Sequence, residues 1–478
     1  MTDLERGEAE HHRAVEAMRR SYAAIPAGAP VRLAKRTSNL FRFRAPAHAP
    51  GLDAAGLDRV LRVDREARTA DVQGMTTYED LVAATLPYGL MPQVVPQLKT
   101  ITLGGAVTGL GIESSSFRNG LPHESVLEMD IMTGDGNVVT ATGDNEHSDL
   151  FYGFPNSYGT LGYALRLRIA LEPVMPYVWL RHVRFGRATG PGRGRVGSDG
   201  AAGGSAGTAA QDAAAAIAEI CAAAAFEGER VDFIDGTVFG PDEIYLTLGT
   251  FTDSAPYTSD YTGGKIYYRS IQRRATDFLT VHDYLWRWDP DWFWCSRAFG
   301  VQHPVIRAAW PRRYKRSDVY RQLVAWDRRA QVSARIDRWR GRPPREDVIQ
   351  DVEVPVGRLP EFLDFFHDKI GMTPVWLCPL IARERWPLYP LRRGETYVNV
   401  GFWGTVQLPP GQIPEHHNRL IEREVAALDG HKSLYSTAFY TRDEFWRHYD
   451  GPAYRKLKET YDPGGRLLDL YDKCVRGR

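Results

Sequence analysis

The sequence predicts an α+β fold in two parts, and three observations carry that prediction. Short alternating apolar runs fill residues 31–175, strand and helix patterns alternate again after residue 176, and a low-complexity Gly/Ala/Ser stretch interrupts the chain soon after the first part ends. The length of 478 residues agrees, because single cores usually stop growing near ~250–300 residues. Hydrophobic content of 43% with 25% charged residues is that of an ordinary globular protein, while 12 Trp point to a large apolar pocket or interface. A net charge of +1 gives no global attraction to nucleic acid. No nucleic-acid partner is expected, and any electrostatic partner has to be read from local clusters.

Taken in order, residues 1–30 read as an amphipathic helix ended near Pro26, without the continuous apolar stretch of a signal peptide. No later segment reaches the ~18–20 apolar residues of a spanning helix. A cytoplasmic protein is expected, peripheral on the inner face of the membrane if it touches one. LDRVLRVDREARTADVQG alternates around a charged turn and predicts a hairpin. TTYEDLVAATLPYG has helical spacing, with Thr76 or Thr77 as cap and Pro87 and Gly89 at its end. A glycine-rich loop follows from Thr102 to Ser116, and then two strands joined at Gly134-Asp135-Gly136. In the second part, 186–212 reads as a flexible insertion and AAAAIAEICAAAAF as a helix. IYLTLGTF and KIYYRSI read as strands, VEVPVGRLPEFLDFFHDKIG as strand then helix, WLCPLIA and TYVNVGFWG as strands, and NRLIEREVAAL as a helix. The organisation is thus 1–30, 31–175 and 176–478, with 440–478 placed to pack back on the first part.

The segment TLGGAVTGLGIESSS interleaves Gly104, Gly105, Gly109 and Gly111 with small residues and ends on Ser114, Ser115 and Ser116. Such a loop can turn several backbone N–H groups toward one anion, which suits a pyrophosphate, or it can be a structural turn. Neither G-x-G-x-x-G nor G-x-x-x-x-G-K-[ST] is present. Cys221, Cys295, Cys378 and Cys474 lie far apart without a C-x-x-C pair, and His416 and His417 lack H-E-x-x-H spacing, so no metal site is expected and both histidines are placed on the surface.

Residues 87–171 resemble the FAD-binding domain of the vanillyl alcohol oxidase (PCMH) type. GLGIESSS, HSDLFYGFPNSYGTLG, PVWLCPL, YTRDEFWRHYDGPAYRKLKE and LYDKC are similar, in the same order, to segments of the 24-dehydrocholesterol reductase family. The likeness runs from about residue 60 to the C-terminus. It implies a PCMH-type FAD-binding domain followed by an α+β substrate or cap domain. It also implies FAD along Thr102–Ser116, held by Pro96, Thr102, Gly104, Gly105, Gly109, Gly111, Ser114 and Ser115, with the adenine end near Gly159 and Gly162. Covalent members of that superfamily attach flavin through a histidine in an N-terminal loop or a cysteine near the second glycine loop. Here those loops read AKRTSNLFRFRAP and GIE, so non-covalent FAD is expected, with Arg36, Thr37, Ser38 and Asn39 as substitute first contacts.

The resemblance implies reduction of an isolated carbon-carbon double bond in a lipid, with NADPH, NADH or a partner protein reducing the flavin. Similar bacterial proteins include reductases that convert a methylene branch on a fatty acyl chain into a methyl branch. The Ala, Arg and Gly bias of a high-GC bacterium favours that substrate over a sterol side chain, and an alcohol or sugar oxidase is the rival activity. Protonating such an alkene leaves a tertiary cation, so the site needs an acid, aromatic faces and little water. Candidate acids are Glu113, Tyr284 and Tyr435, with Tyr440 a further tyrosine, and His123 is placed near the flavin ring. HDYLWRWDPDWFWCSRAFG reads as core, interface or lipid-tunnel lining, and the arginines from Arg307 to Arg345 as a solvated face or as a surface for anionic phospholipid.

Overall fold

The computed structural model describes residues 3–34, 41–42, 51–186, 207–330, 335 and 338–477. The proposed contacts Arg36–Asn39 and most of the insertion, residues 187–206, lie outside them. The last residues of the expected insertion are ordered instead as the start of the helix Ala209–Ala223, because Thr208 caps it by accepting from Gln211 N.

The first sheet uses β1 (Val60–Asp64), β2 (Thr69–Gln73), β3 (Leu90–Pro92), β4 (Val126–Met132), β5 (Val138–Ala141) and β6 (Tyr163–Pro173). Its order is β1-β2-β6-β4-β5, with β3 also on β6. Alternation along β6 buries Leu165, Leu167, Ile169 and Leu171 on one face. On the other, Arg166 ties the neighbouring strands together through Asp71 at 2.6 Å, Asp130 at 2.7 Å and Glu128. The helix Tyr78–Thr85 is capped by Thr77. At the β4–β5 turn Gly136 has φ +86°, and a Cβ there would lie 2.5 Å from the Tyr22 ring of the N-terminal helix Asp3–Ala23, so that turn is also a docking point.

The second sheet comprises β7 (Tyr177–Phe185), β10 (Phe233–Gly240), β11 (Glu243–Thr252), β12 (Thr276–Thr280), β13 (Arg345–Pro355), β14 (Val375–Ile381), β15 (Thr396–Gln407) and β16 (His431–Lys432), with β8 (Ala225–Phe226) and β9 (Glu229–Arg230) forming a separate hairpin. It is antiparallel in the order β12-β7-β11-β10-β14-β15-β13-β16. The two-residue period sorts its side chains. Val352, Val354, Leu377, Val398, Val400 and Phe402 pack in one core with Ala209–Ala223, the helix Leu359–Lys369 and the helix His416–Ala427. Trp376 and Trp403 pack into the other core, which continues into the first sheet.

Two expectations need correction. KIYYRSI is not a strand but carries the helix Tyr267–Ile271, because the consecutive Tyr267 and Tyr268 are both buried, with Ile271 one turn on, which a strand would split between its faces. His417 is not a surface residue: it is buried, with Nδ1 3.0 Å from Glu346 Oε2. Three C-terminal helices follow, Arg442–His448, Gly451–Tyr461 and Leu470–Cys474; the second packs on the first part of the chain, where Tyr461 Oη donates to Asp149 at 2.7 Å and Lys458 Nζ to Thr160 O at 2.7 Å. Among the described residues no helix is long and apolar enough to cross a membrane.

Candidate functional site

A cavity of about 730 Å³ opens between the two sheets. One wall is a continuous stretch of chain. What reads in sequence as a single glycine loop is a short helix, Leu103–Thr108, followed by an irregular strip. The helix forms because Thr102 Oγ1 accepts from Gly105 N at 3.2 Å, while Leu103 N donates to Thr76 O and Gly104 N to Gly74 O, both at 2.9 Å. Those N–H groups are therefore used internally. A Cβ at Gly104 would sit 2.6 Å from Gly74 O, and one at Gly111 2.8 Å from the Pro122 ring, so backbone packs directly on its neighbours at both places. Beyond the helix, no backbone hydrogen bond is donated by Leu110, Gly111 or Ile112 among the described residues, and all three line the cavity.

Of the residues singled out in the sequence, Pro96, Thr102, Gly104, Gly105, Gly109, Gly111, Glu113, Gly159 and Tyr435 line this cavity. Ser114, Ser115, Gly162 and Tyr284 do not. Ser114 Oγ lies 2.9 Å from Tyr284 Oη behind the wall, and Ser115 Oγ donates to Gln93 O at 2.8 Å, so both hydroxyls serve the interior. Gly162, at φ +152°, packs on β4, where a Cβ would meet Met132 O at 2.6 Å. Tyr284 is fixed under the Arg287 guanidinium, 3.9 Å from its ring centroid, and Arg287 in turn pairs with buried Asp235 at 2.7 Å. His123 also lies off the cavity, edge-on to Trp386 at 4.4 Å, and burial pushes its imidazole down to about 3. Tyr440 is likewise absent from the lining.

Glu113 ends the strip. Burial holds its carboxyl well above the usual range against the pull of Arg287, and Oε1 accepts the Gln97 backbone N–H at 2.8 Å. It thereby joins two lengths of the same wall.

The facing wall comes from separate segments. Trp292 and Phe293 line it with φ of 44° and 60°, two bulky residues in succession in the left-handed region, which costs of order 1–3 kcal/mol each. Phe293 stacks on Trp403 at 4.3 Å, and Phe41 on Trp292 at 5.5 Å. Beside them Trp403 Nε1 donates to Tyr435 Oη at 2.8 Å, and Asn399 Nδ2 to Asp351 Oδ1 at 3.4 Å. Asp351 and Tyr435 interact as well: burial pushes the Asp351 carboxyl up to about 7, with Asn399 and Tyr435 opposing, and burial with the nearby Asp351 pushes the Tyr435 phenol up. Space for the carboxyl exists because Gly401 is its partner in register on β15, where a Cβ would lie 2.4 Å from Asp351 Oδ1.

Asp351, Trp376, Trp403 and Arg42 are cavity residues that the motif reading missed. For Asp351 a signal exists: in QDVEVP, Asp351 and Glu353 alternate with Val352 and Val354, so two carboxyls share one face of a buried strand.

The residues present fit FAD. Arg42 Nη2 and Tyr158 Oη are buried and have no hydrogen-bond partner among the described residues, and the Arg42 guanidinium lies over the Tyr158 ring at 4.5 Å. A guanidinium and a strip of free N–H groups suit a pyrophosphate, and the aromatic wall suits a flat ring system. Comparison with known proteins agrees. An FAD binding domain model matches residues 13–142. Delta(24)-sterol reductase of Homo sapiens is 26% identical over 87% of this chain and 76% of its own length, and that of Arabidopsis thaliana 26% identical over 89% and 77%. Cytokinin dehydrogenase 6 of Oryza sativa subsp. japonica is 38% identical over 23% of this chain and 21% of its own. The chain is an FAD-dependent oxidoreductase with a PCMH-type FAD-binding domain, similar over most of its length to the Delta(24)-sterol reductases.

Proposed function

We propose that this protein saturates an isolated carbon-carbon double bond in a lipid inside the cavity between its two sheets. The observation that carries this reading is the pairing of an anion-accepting strip, Leu110–Ile112 with Arg42, with a facing aromatic wall that holds a protonatable carboxyl, Asp351. The relatives named Delta(24)-sterol reductase support reduction rather than oxidation. When bound and reduced, FAD supplies the hydride. Arg42 and the N–H groups of residues 110–112 hold its pyrophosphate. The proposed cofactor is FAD held without a covalent bond; among the described residues lining the cavity none is a histidine or cysteine.

An isolated alkene has no carbonyl to take up charge, so a proton must reach its less substituted carbon, leaving a tertiary cation at the other. Asp351 supplies that proton from its carboxyl oxygen. With an acidity near neutrality it is part acid and part base at the working pH, the most effective condition for proton transfer. Tyr435 orients Asp351, and Trp403 fixes Tyr435. The faces of Trp292, Phe293, Trp376 and Trp403 stabilise positive charge and exclude the water that would trap it. Glu113 holds the binding strip, and Tyr284 supports it from behind through Ser114.

The proposed substrate is a methylene-branched acyl chain of a phospholipid, with NADPH as reductant; a sterol side-chain alkene is the second reading, favoured by the relatives' names. Anaerobic incubation of the flavin-loaded protein with NADPH and each lipid, following flavin absorbance and lipid mass together, tests both. Bleaching with a gain of two hydrogens on one lipid identifies the substrate. Bleaching with neither lipid changed removes the alkene reading, and protein that binds no flavin removes the whole proposal.

A further inference from the structure

A second cleft, of about 670 Å³, lies away from the cavity and shares none of its lining residues. Six of its lining side chains are cationic, Lys265, Arg269, Arg273, Arg274, Arg307 and Lys315, and none is a carboxylate. Neutralisation is partial. Arg307 pairs with buried Asp291 at 2.7 Å and Arg274 with Asp277 at 3.0 Å, whereas Arg269 meets neutral groups, Gln302 Oε1 at 2.8 Å and Tyr268 Oη at 3.4 Å. Lys265 and Arg273 are exposed and have no ion-pair partner among the described residues. Lys315 is buried and donates to Gly263 O at 3.2 Å, its ammonium held below the ordinary value by burial and then by Arg307. Crowding of like charge around a concave space is relieved by an anion with several oxygens.

The rim indicates which anion. The helix Pro304–Ala309 contributes Pro304, Arg307 and Ala308 to the cleft and turns Val305, 71% exposed, and Ile306, 41% exposed, to the outside; Tyr314, one residue before Lys315, is 44% exposed. Apolar side chains next to a phosphate-sized basic cleft match a bilayer, where headgroup phosphates overlie hydrocarbon. The cleft is also walled off from the cavity by rings in contact, Tyr261 with Tyr267 at 5.2 Å, Tyr267 with Trp288 at 4.8 Å and Trp288 with Phe293 at 5.0 Å; Tyr261 lines the cleft and Phe293 the cavity. A nicotinamide donor seated here would face that wall. We infer that this face docks on an anionic phospholipid bilayer, the cleft taking one headgroup phosphate while Val305, Ile306 and Tyr314 enter the acyl boundary. The docking itself stands apart from the proposed function; only the lipid's destination in the cavity rests on that reading.

Flotation of the flavin-loaded protein with vesicles of phosphatidylcholine alone, or with ~30% phosphatidylglycerol, tests the docking without any turnover. The expected result is at least about tenfold stronger binding to the anionic vesicles, loss of that preference in Lys265→Glu/Arg273→Glu, and severalfold weaker binding in Val305→Ser/Ile306→Ser. Both variants should keep wild-type flavin content and wild-type reduction of detergent-dispersed substrate, so a failed docking idea is separable from a failed reductase. Equal binding to both vesicle types, an unchanged double variant, or complete release from anionic vesicles by micromolar NADPH would each overturn the inference.

Discussion

From Pro96 to Glu113 the cavity is bounded by one length of chain that offers mostly backbone, whereas the opposite wall gathers Asp351, Trp376, Trp403 and Tyr435 from four separate segments and offers rings and protons. The first wall suits binding of a long anionic cofactor, because its small residues let backbone N–H groups approach. The second suits chemistry, because an antiparallel sheet sets alternate side chains facing inward and its burial raises a carboxyl toward neutrality. Binding and proton supply are thus carried by different parts of the fold, and each should be removable without the other.

The largest effect is expected on the binding wall. Gly105 lines the cavity and is exposed into it, so Gly105→Leu places a side chain in the cofactor's space. Purified protein should keep its circular dichroism yet lose its bound flavin, and with it all activity; near-stoichiometric flavin absorbance would break the assignment of this wall. Next comes the sheet wall. Asp351→Asn should retain flavin while turnover falls by roughly 10²- to 10⁴-fold, the usual contribution of a positioned acid. In the wild type the acid must be protonated, so turnover should fall about tenfold per pH unit above about 7, and the residual rate of Asp351→Asn should lack that limb. The same shift has a sign for stability. A carboxyl raised from 3.8 in the unfolded chain to about 7 in the folded one favours the fold below pH 3.8 and loses that contribution as pH rises through 7, so Asp351→Asn should gain stability relative to wild type at pH 8.

The two walls also differ in how far a linear reading reaches them. Residues 102–113 are contiguous, so their glycines, like the cap Thr77 and the Gly134-Asp135-Gly136 turn, could be recognised from local spacing, whereas the short helix that Thr102 caps reads there as loop. Asp351 becomes a cavity residue only because β13 pairs with β15 in a register that sets it opposite Gly401, and Tyr435 reaches it from a loop 84 positions on in the chain. Local composition carries no record of that register. The serines after Glu113 show the converse limit. Ser114 and Ser115 look like further donors for an anion, but one turn of backbone directs their hydroxyls to Tyr284 and Gln93. KIYYRSI failed for a related reason, since β-branched and aromatic content favours a strand while tertiary burial of adjacent tyrosines selects a helix.

The finest distinction lies between two tyrosines that lose the same atom. Tyr435→Phe removes a hydrogen bond that lowers the Asp351 pKa, so that pKa should rise further and the alkaline limb of turnover should move to higher pH, with a modest fall in rate from looser orientation. Tyr284→Phe leaves Ser114 Oγ without its partner behind the binding strip, a loss of about 1 kcal/mol in stability, with the pH limb unmoved because Tyr284 does not touch Asp351. A pH–rate profile and a thermal melt of each variant separate the two roles. If Tyr284→Phe moved the limb and Tyr435→Phe did not, the proton would come from the Glu113 side of the cavity, and the division of labour between the walls would be reversed.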